Sequence, residues 1–252
     1  MRLATELSAA RAAAAAAADL LRRHYRLDAG VETEAGRDIK TRADTAAEDC
    51  IRSHLADTGI EMLAEESAPR EAGGDAGIRW IVDPLDGTMN FVRGLPLCAV
   101  SIGLWEGNEP LLGVVHDIPA DRVFSGIVGD GAWCDDAPIR VSTTPDVGRS
   151  VIATGFPTHR DHGRDSLLRF IDRIRAFKKV RMLGSAALSL AHVAAGHIDA
   201  YVEEKIMLWD VAAGLAIVKA AGGDIVVRHS GLPHACNTAA TNGLIPPAGL
   251  LA

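Results

Sequence analysis

A mixed α/β fold follows from this sequence: an α+β half over residues 1–140 and an α/β half of alternating helices and strands over residues 141–252. Two patterns predict it. Apolar residues at steps of three and four mark helices towards both ends of the chain. Between them, strand-like runs follow one another at hairpin spacing and give way, near Ser150, to strand–helix alternation.

Leu3, Leu7, Ala10, Ala14, Ala17 and Leu21 form one apolar helical face, so the alanine run at 12–18 reads as a closely packed helix. Glu6, Arg11 and Asp19 interrupt it and no cleavage pattern follows, which argues against a leader. Thr45-Ala46-Ala47-Glu48 has the spacing of a capping box, with Ile51 and Leu55 on one face and Gly59 as the stop. Asp44 is thereby placed at a helix mouth. Residues 60–64 and 79–82 read as strands, the second expected to break at Pro84, which has no N–H to give a ladder. Residues 99–105 and 111–115 read as a hairpin joined by 106–110, with 123–128 a third antiparallel strand. The second half reads as strand 151–154, helix 166–176, strand 180–182, helix 185–195 closed by Gly196, strand 198–203, helix 210–221 and strand 225–227.

A chain of 252 residues buries about three-quarters of its unfolded surface, enough for a large core. With 48% hydrophobic and 23% charged residues it falls outside the disordered, collagen-like and disulfide-scaffold classes. The net charge of -7 gives no reason to expect a nucleic-acid or membrane partner, and an anionic substrate needs local cations to offset it. Cys50, Cys98, Cys134 and Cys236 form no C-x-x-C pair, which fits a reducing cytoplasm better than a zinc or redox site. No apolar run approaches the length of a membrane span.

Five acidic residues stand where the backbone changes state: Asp44 at a helix start, Glu65 after one strand, Asp83 and Asp86 after another, and Asp210 opening a late helix. Carboxylates at strand ends and helix mouths converge on clefts, and oxygen-only donors favour magnesium, manganese or calcium over zinc. In Trp80-Ile81-Val82-Asp83-Pro84-Leu85-Asp86-Gly87-Thr88, proline turns the chain, glycine permits a tight bend, and Gly87 and Thr88 offer N–H groups to a phosphate.

Asp83-Pro84-Leu85-Asp86-Gly87-Thr88, preceded by Glu65-Glu66-Ser67 and followed by Trp209-Asp210-Val211-Ala212-Ala213-Gly214, resembles the inositol monophosphatase family. Lys40-Thr41-Arg42-Ala43-Asp44, Asn90-Phe91, Gly184-Ser185-Ala186-Ala187 and Ala221-Gly222-Gly223 support it in family order across nearly the whole chain. The resemblance implies a layered α-β-α-β-α sandwich of the inositol monophosphatase and fructose-1,6-bisphosphatase type. It also implies magnesium-dependent, lithium-sensitive hydrolysis of a small phosphate monoester, foremost myo-inositol 1-phosphate. Carried over by position, Glu65, Asp83 and the Leu85 carbonyl hold one magnesium, and Asp83, Asp86 and Asp210 a second. A third, weaker ion lies near Glu65, and manganese is a possible substitute. Thr88, bonded to Asp44, orients or deprotonates the attacking water, so Asp44, Glu65 and Thr88 are the catalytic candidates. Gly87 and Thr88 bind phosphate, and Asp86, Ser185, Ala186, Glu203 and Asp210 face the substrate. A homodimer is implied as well. Two positions depart from the family pattern: Ala64 replaces a glycine, and Met207 stands where the animal enzymes carry histidine beside the substrate.

Rival chemistries fail on spacing. A haloacid-dehalogenase phosphatase needs aspartate where Pro84 stands, and Ser101, Ser125 and Ser185 lack the G-x-S-x-G elbow. Histidinol phosphate, sugar phosphates, fructose 1,6-bisphosphate and 3',5'-bisphosphate nucleotides remain as alternative substrates, and a regulatory binding protein with an idle site is the alternative of another class.

Overall fold

The computed structural model describes residues 3–25, 29–35, 38–69 and 77–251. Helix α1 (Ala4–Leu20) runs into a wider turn at Leu21–Tyr25, and a ribbon of β1 (Val31–Ala35) and β2 (Asp38–Thr41) leads into α2 (Arg42–Leu55). Strands β3 (Glu61–Ala64) and β4 (Ile78–Asp86), the short helix α3 (Thr88–Val92), and β5 (Ala99–Glu106), β6 (Glu109–Asp117), β7 (Arg122–Ile127), β8 (Gly131–Cys134) and β9 (Ala137–Ile139) follow. The remainder is β10 (Val151–Thr154), α4 (Arg164–Ile174), β11 (Lys179–Arg181), α5 (Ala186–Ala194), β12 (Ala200–Met207), α6 (Leu208–Ala220), β13 (Asp224–His229) and β14 (Ala235–Thr241).

Strands β3 to β9 form a seven-stranded sheet in sequential order, antiparallel except where β3 runs parallel to β4. The second sheet has the order β11-β10-β12-β14-β13, with β10 parallel to both neighbours. On one face of the larger sheet, α1 and α2 bury Ala10, Ala14, Ala17, Ala47 and Ile51 against Trp80, Val100 and Val114. Alanine lets the backbones approach closely, so the low-complexity run is core. On the other face, α5 and α6 lie between the sheets, meeting Ile81, Trp105 and Phe124 on one side and Tyr201, Ile206 and Ala240 on the other. Phe177, Ile245 and Leu250 close the far face of the smaller sheet. The molecule has the layered helix and sheet order expected of it.

Helix α6 is seated by what the larger sheet lacks. A Cβ at Gly113 would run into the Ala213 carbonyl, and one at Gly103 would lie 3.0 Å from the Ala213 nitrogen. Two hydrogen bonds complete the seat: Trp105 Nε1 donates to the Ala212 carbonyl at 3.1 Å, and Ser101 Oγ to that of Trp209 at 3.3 Å. The first turn of α6, and Asp210 with it, is thereby fixed relative to β4.

Three local expectations need correction. The capping box lies four residues earlier, at Thr41 and Asp44, because aspartate at the third helical position serves the box as glutamate does. Glu48 instead takes the Glu66 N–H at 2.9 Å and Arg52 at 2.7 Å. Strand β4 does not break at Pro84 but passes through it, since the register slips between Asp83 and Asp86 and a bulge there needs no proline N–H. The joint foreseen over 106–110 shrinks to Gly107 and Asn108, with Pro110 absorbed where the β5–β6 register shifts. Strands β1, β2, β8, β9 and β14 and helix α3 carry too few apolar residues in period to be read from the sequence.

Candidate active site

Because β3 and β4 are parallel neighbours, their C-terminal ends open on the same edge, where β3 passes into a turn at residues 65–67 and β4 into α3. Glu65 follows β3, its N–H bonded to the Val82 carbonyl at 3.2 Å. Asp83 and Asp86 flank the β4 bulge and are buried. Asp83 Oδ1 accepts the Leu85 N–H at 2.9 Å, which folds the Asp83–Leu85 segment into a tight loop. Gly87 takes φ 88°, the left-handed conformation that glycine adopts freely, and its missing side chain leaves room for the Leu97 carbonyl, 2.8 Å from where a Cβ would stand. Helix α3 begins immediately afterwards, so its first-turn N–H groups have no carbonyl within the helix to satisfy them.

Asp44 lies in the first turn of α2, almost wholly buried. Its Oδ2 accepts both the Thr41 N–H and the Thr41 hydroxyl, each at 2.7 Å, which leaves Oδ1 to accept the Thr88 hydroxyl at 3.0 Å. The Leu85 carbonyl stands at 3.0 Å from the same hydroxyl. Thr88 has one proton for these two acceptors. Burial raises the Asp44 carboxyl, and the bonds from Thr41 and Thr88 pull it back.

Asp86 is held by the start of α5. The Ser185 hydroxyl donates to Asp86 Oδ2 in a short hydrogen bond, the Ala187 N–H donates to the same oxygen at 2.9 Å, and the Ala186 N–H donates to Oδ1 at 3.2 Å. Ser185 is also the N-cap of that helix, accepting from the Leu188 N–H at 3.1 Å. Ser185 and Ala186, expected to face substrate, here hold the Asp86 carboxylate. Asn90 sets this up: its amide donates to the carbonyls of Leu97, Leu183 and Gly184 at 2.8, 2.9 and 3.2 Å, tying the segment before α5 to α3. Its part in positioning has no local sequence signal, because its partners lie up to 94 residues away.

The carboxylates load one another electrostatically. Burial pushes Asp83 well above the ordinary carboxylate range, and the charges of Glu65, Asp86 and Asp210 push it further. Asp210 is raised by burial and then by Glu65, Asp86 and Glu203. Burial lifts Asp86 to about 6 against the bonds from Ser185, Ala186 and Ala187, and lifts Glu203 to about 8. Glu203 packs on the backbone of Gly155, where a Cβ would lie 2.7 Å from its Oε1. Glu65 and Asp210 line a cleft of about 250 Å³ together with Phe156, His159, Lys205 and Met207.

Carboxylate and carbonyl oxygens, buried and mutually repelling, fit a hard divalent cation in donor chemistry and in charge. As they stand, no three His, Cys, Asp or Glu side chains among the described residues are arranged to hold a metal ion. The fit therefore rests on the donors and their electrostatics. No helix among the described residues is long and apolar enough to cross a membrane.

The architecture and the acidic edge find their counterpart among layered α/β phosphatases. The structure of inositol monophosphatase from Anabaena (Nostoc) sp. PCC 7120 superposes with a TM-score of 0.83 over 99% of this chain and 95% of that one, at 35% identity. The Inositol-1-monophosphatase of Mesorhizobium japonicum is 41% identical over 74% of this chain and 71% of its own length. A protein of Pasteurella multocida named Nus factor SuhB is 39% identical over 74% and 70%. The profile of the inositol monophosphatase family matches residues 3–248. The chain belongs to that family and is a phosphoric monoester hydrolase.

Proposed function

We propose that the chain hydrolyses small phosphate monoesters with magnesium, with myo-inositol 1-phosphate the first candidate substrate. The observation that carries this is the Thr88–Asp44 hydrogen bond set at the edge where Glu65, Asp83, Asp86 and Asp210 load one another with charge. Glu65, Asp83 and the Leu85 carbonyl would hold one ion, Asp83, Asp86 and Asp210 a second, with a weaker third near Glu65. Manganese satisfies the same donors. Magnesium bound there supplies Lewis-acid polarisation of the phosphoryl group, lowers the pKa of water and stabilises the departing alkoxide.

The chain's own residues do the rest. Asp44, saturated on Oδ2, draws the Thr88 proton towards Oδ1, which turns the lone pairs of the threonine oxygen outward to accept a proton from water. The N–H groups of Gly87 and Thr88 bind phosphoryl oxygens, since the start of α3 leaves them without helical acceptors. Ser185 and Ala186 keep Asp86 in place. Glu203, raised to about 8, carries a proton at neutral pH and meets a substrate hydroxyl as donor or acceptor. The name of the Mesorhizobium japonicum relative motivates the inositol phosphate. A cytoplasmic homodimer sensitive to lithium is the form the family likeness suggests.

Phosphate release with and without magnesium tests this on myo-inositol 1-phosphate, histidinol phosphate, fructose 1,6-bisphosphate, adenosine 3',5'-bisphosphate and glycerol 2-phosphate. Magnesium-dependent release supports the reading. No release from any of them refutes it and favours the second reading, a regulatory binding role, for which the likeness to a protein named Nus factor SuhB speaks.

A further inference from the structure

Strand β12 carries a two-residue bulge beside the candidate active site. Its pairing with β14 runs to Glu203 opposite Thr238 and resumes at Ile206 opposite Cys236, so Glu204 and Lys205 share the single partner position of Asn237. Asn237 Oδ1 accepts the Lys205 N–H at 2.9 Å and pins the bulge. Lys205 takes φ 57°, in the left-handed region. The other described non-glycine residues with positive φ are Asp121, Asp135 and His234, none of them within a strand. A long unbranched side chain gains nothing locally from this conformation, which costs about 1 kcal/mol or more.

The two bulge residues have different fates. Glu204 is occupied by Arg173 at 2.7 Å and Arg160 at 3.7 Å. Lys205 lines the cleft with Glu65 and Asp210 and forms no ion pair among the described residues. A lysine serving only to neutralise those carboxylates would be paired with one of them. In a chain of net charge -7, a lysine that lines an acidic cleft and has no ion pair among the described residues is available to an anion that enters with the substrate.

We infer that Lys205 is a specificity-determining residue that binds a second anionic group, carboxylate or phosphate, on the alcohol portion of the phosphate monoester. The inference rests on the phosphatase reading but replaces its first candidate substrate: esters whose alcohol is itself anionic are preferred over neutral polyol phosphates such as myo-inositol 1-phosphate. The phosphoryl group lies at the carboxylate edge, and the second anion meets the 205–207 wall of the same cleft.

Matched pairs test it: 2-phosphoglycerate against glycerol 2-phosphate for a carboxylate, and fructose 1,6-bisphosphate against fructose 1-phosphate for a second phosphate. In the wild type with magnesium, kcat/KM is expected to favour the more anionic member of at least one pair by tenfold or more, and the responding pair identifies the group. Lys205→Gly is expected to reduce that ratio at least tenfold through KM, and Lys205→Arg to retain it. Glycine suits φ 57° better than lysine does, so the variant folds, and its Tm is expected at or above the wild type. A second readout is independent of turnover: pulse acetylation read by mass spectrometry at Lys40, Lys178, Lys179, Lys205 and Lys219. Lys205 is expected to be protected by 2-phosphoglycerate or fructose 1,6-bisphosphate and not by its partner compound. Ratios near one in the wild type, or a ratio unchanged in Lys205→Gly, overturn the inference while leaving hydrolysis standing. Selective protection with no phosphate released from any compound overturns the phosphatase reading and leaves the second-anion site standing. Neither turnover nor protection overturns both.

Discussion

Replacing Asp83 with asparagine separates what the site does from what it costs. Asp83 is 2% exposed, and its charge is opposed by burial and by Glu65, Asp86 and Asp210. Asparagine keeps the size and the Oδ1 that accepts the Leu85 N–H at 2.9 Å, so the β4 bulge is preserved while the charge is removed. Since that charge would be shared by two magnesium ions, turnover is expected to fall about 10³-fold or more, some 4 kcal/mol of transition-state stabilisation. The metal-free fold is expected to gain about 1–3 kcal/mol at pH 8, because a buried charge repelled by its neighbours is worth less than an isosteric neutral group. For a chain of this size that is roughly 2–10 °C in Tm. Burial and the neighbouring charges hold the Asp83 carboxyl well above the ordinary range, so the gain is expected to shrink as pH falls. Phosphate release measures the first effect, and thermal unfolding in chelator at pH 5 and pH 8 the second. A variant that keeps more than about a tenth of wild-type turnover, or one less stable than wild type at pH 8 without metal, refutes the reasoning.

Three further outcomes are expected. Thr88→Ala removes the hydroxyl that Asp44 polarises, so kcat should fall about 10²-fold with KM within about twofold; an unchanged kcat takes Thr88 out of water activation. Asn90→Ala deletes three bonds to the carbonyls of Leu97, Leu183 and Gly184 and should destabilise the fold by about 2–3 kcal/mol, and a loss under about 0.5 kcal/mol in urea unfolding contradicts that role. Asp86 and Glu203, raised to about 6 and about 8, hold protons in the fold that the unfolded chain has released. Their contribution to metal-free stability is therefore full below about pH 4 and is lost, by several kcal/mol, as pH rises towards 8. Magnesium should flatten the fall, and a metal-free stability that rises over this range, followed by urea titration, rules out the raised acids.

Much of the site was legible because its residues lie at changes of backbone state that leave sequence marks. The Pro84, Gly87 and Thr88 signals around two aspartates locate the β4 turn, and helix starts near Asp44 and Asp210 follow from periodicity. The sequence misplaces the capping box because two adjacent segments, Thr41 to Asp44 and Thr45 to Glu48, satisfy similar spacing, and only the pairing of Glu48 with Arg52 and the Glu66 N–H separates them. Pro84 reads as a strand end in the sequence because a bulge is visible only in the register of the partner strand. The short strands β8 and β9 and the strand β14 are set by pairing with their neighbours in the sheets, β14 with a segment about 35 residues earlier. Lys205 is invisible for the same reason: its left-handed backbone belongs to the bulge in the β12–β14 register.

The most direct measurement is anomalous diffraction from crystals of the wild type and of Asp83→Asn soaked in manganese. Anomalous peaks within ligand distance of Glu65, Asp83, Asp86 and Asp210 in the wild type, lost or weakened in the variant, are the predicted result. Wild-type crystals saturated with manganese and without a peak at those carboxylates would contradict a divalent-cation site there.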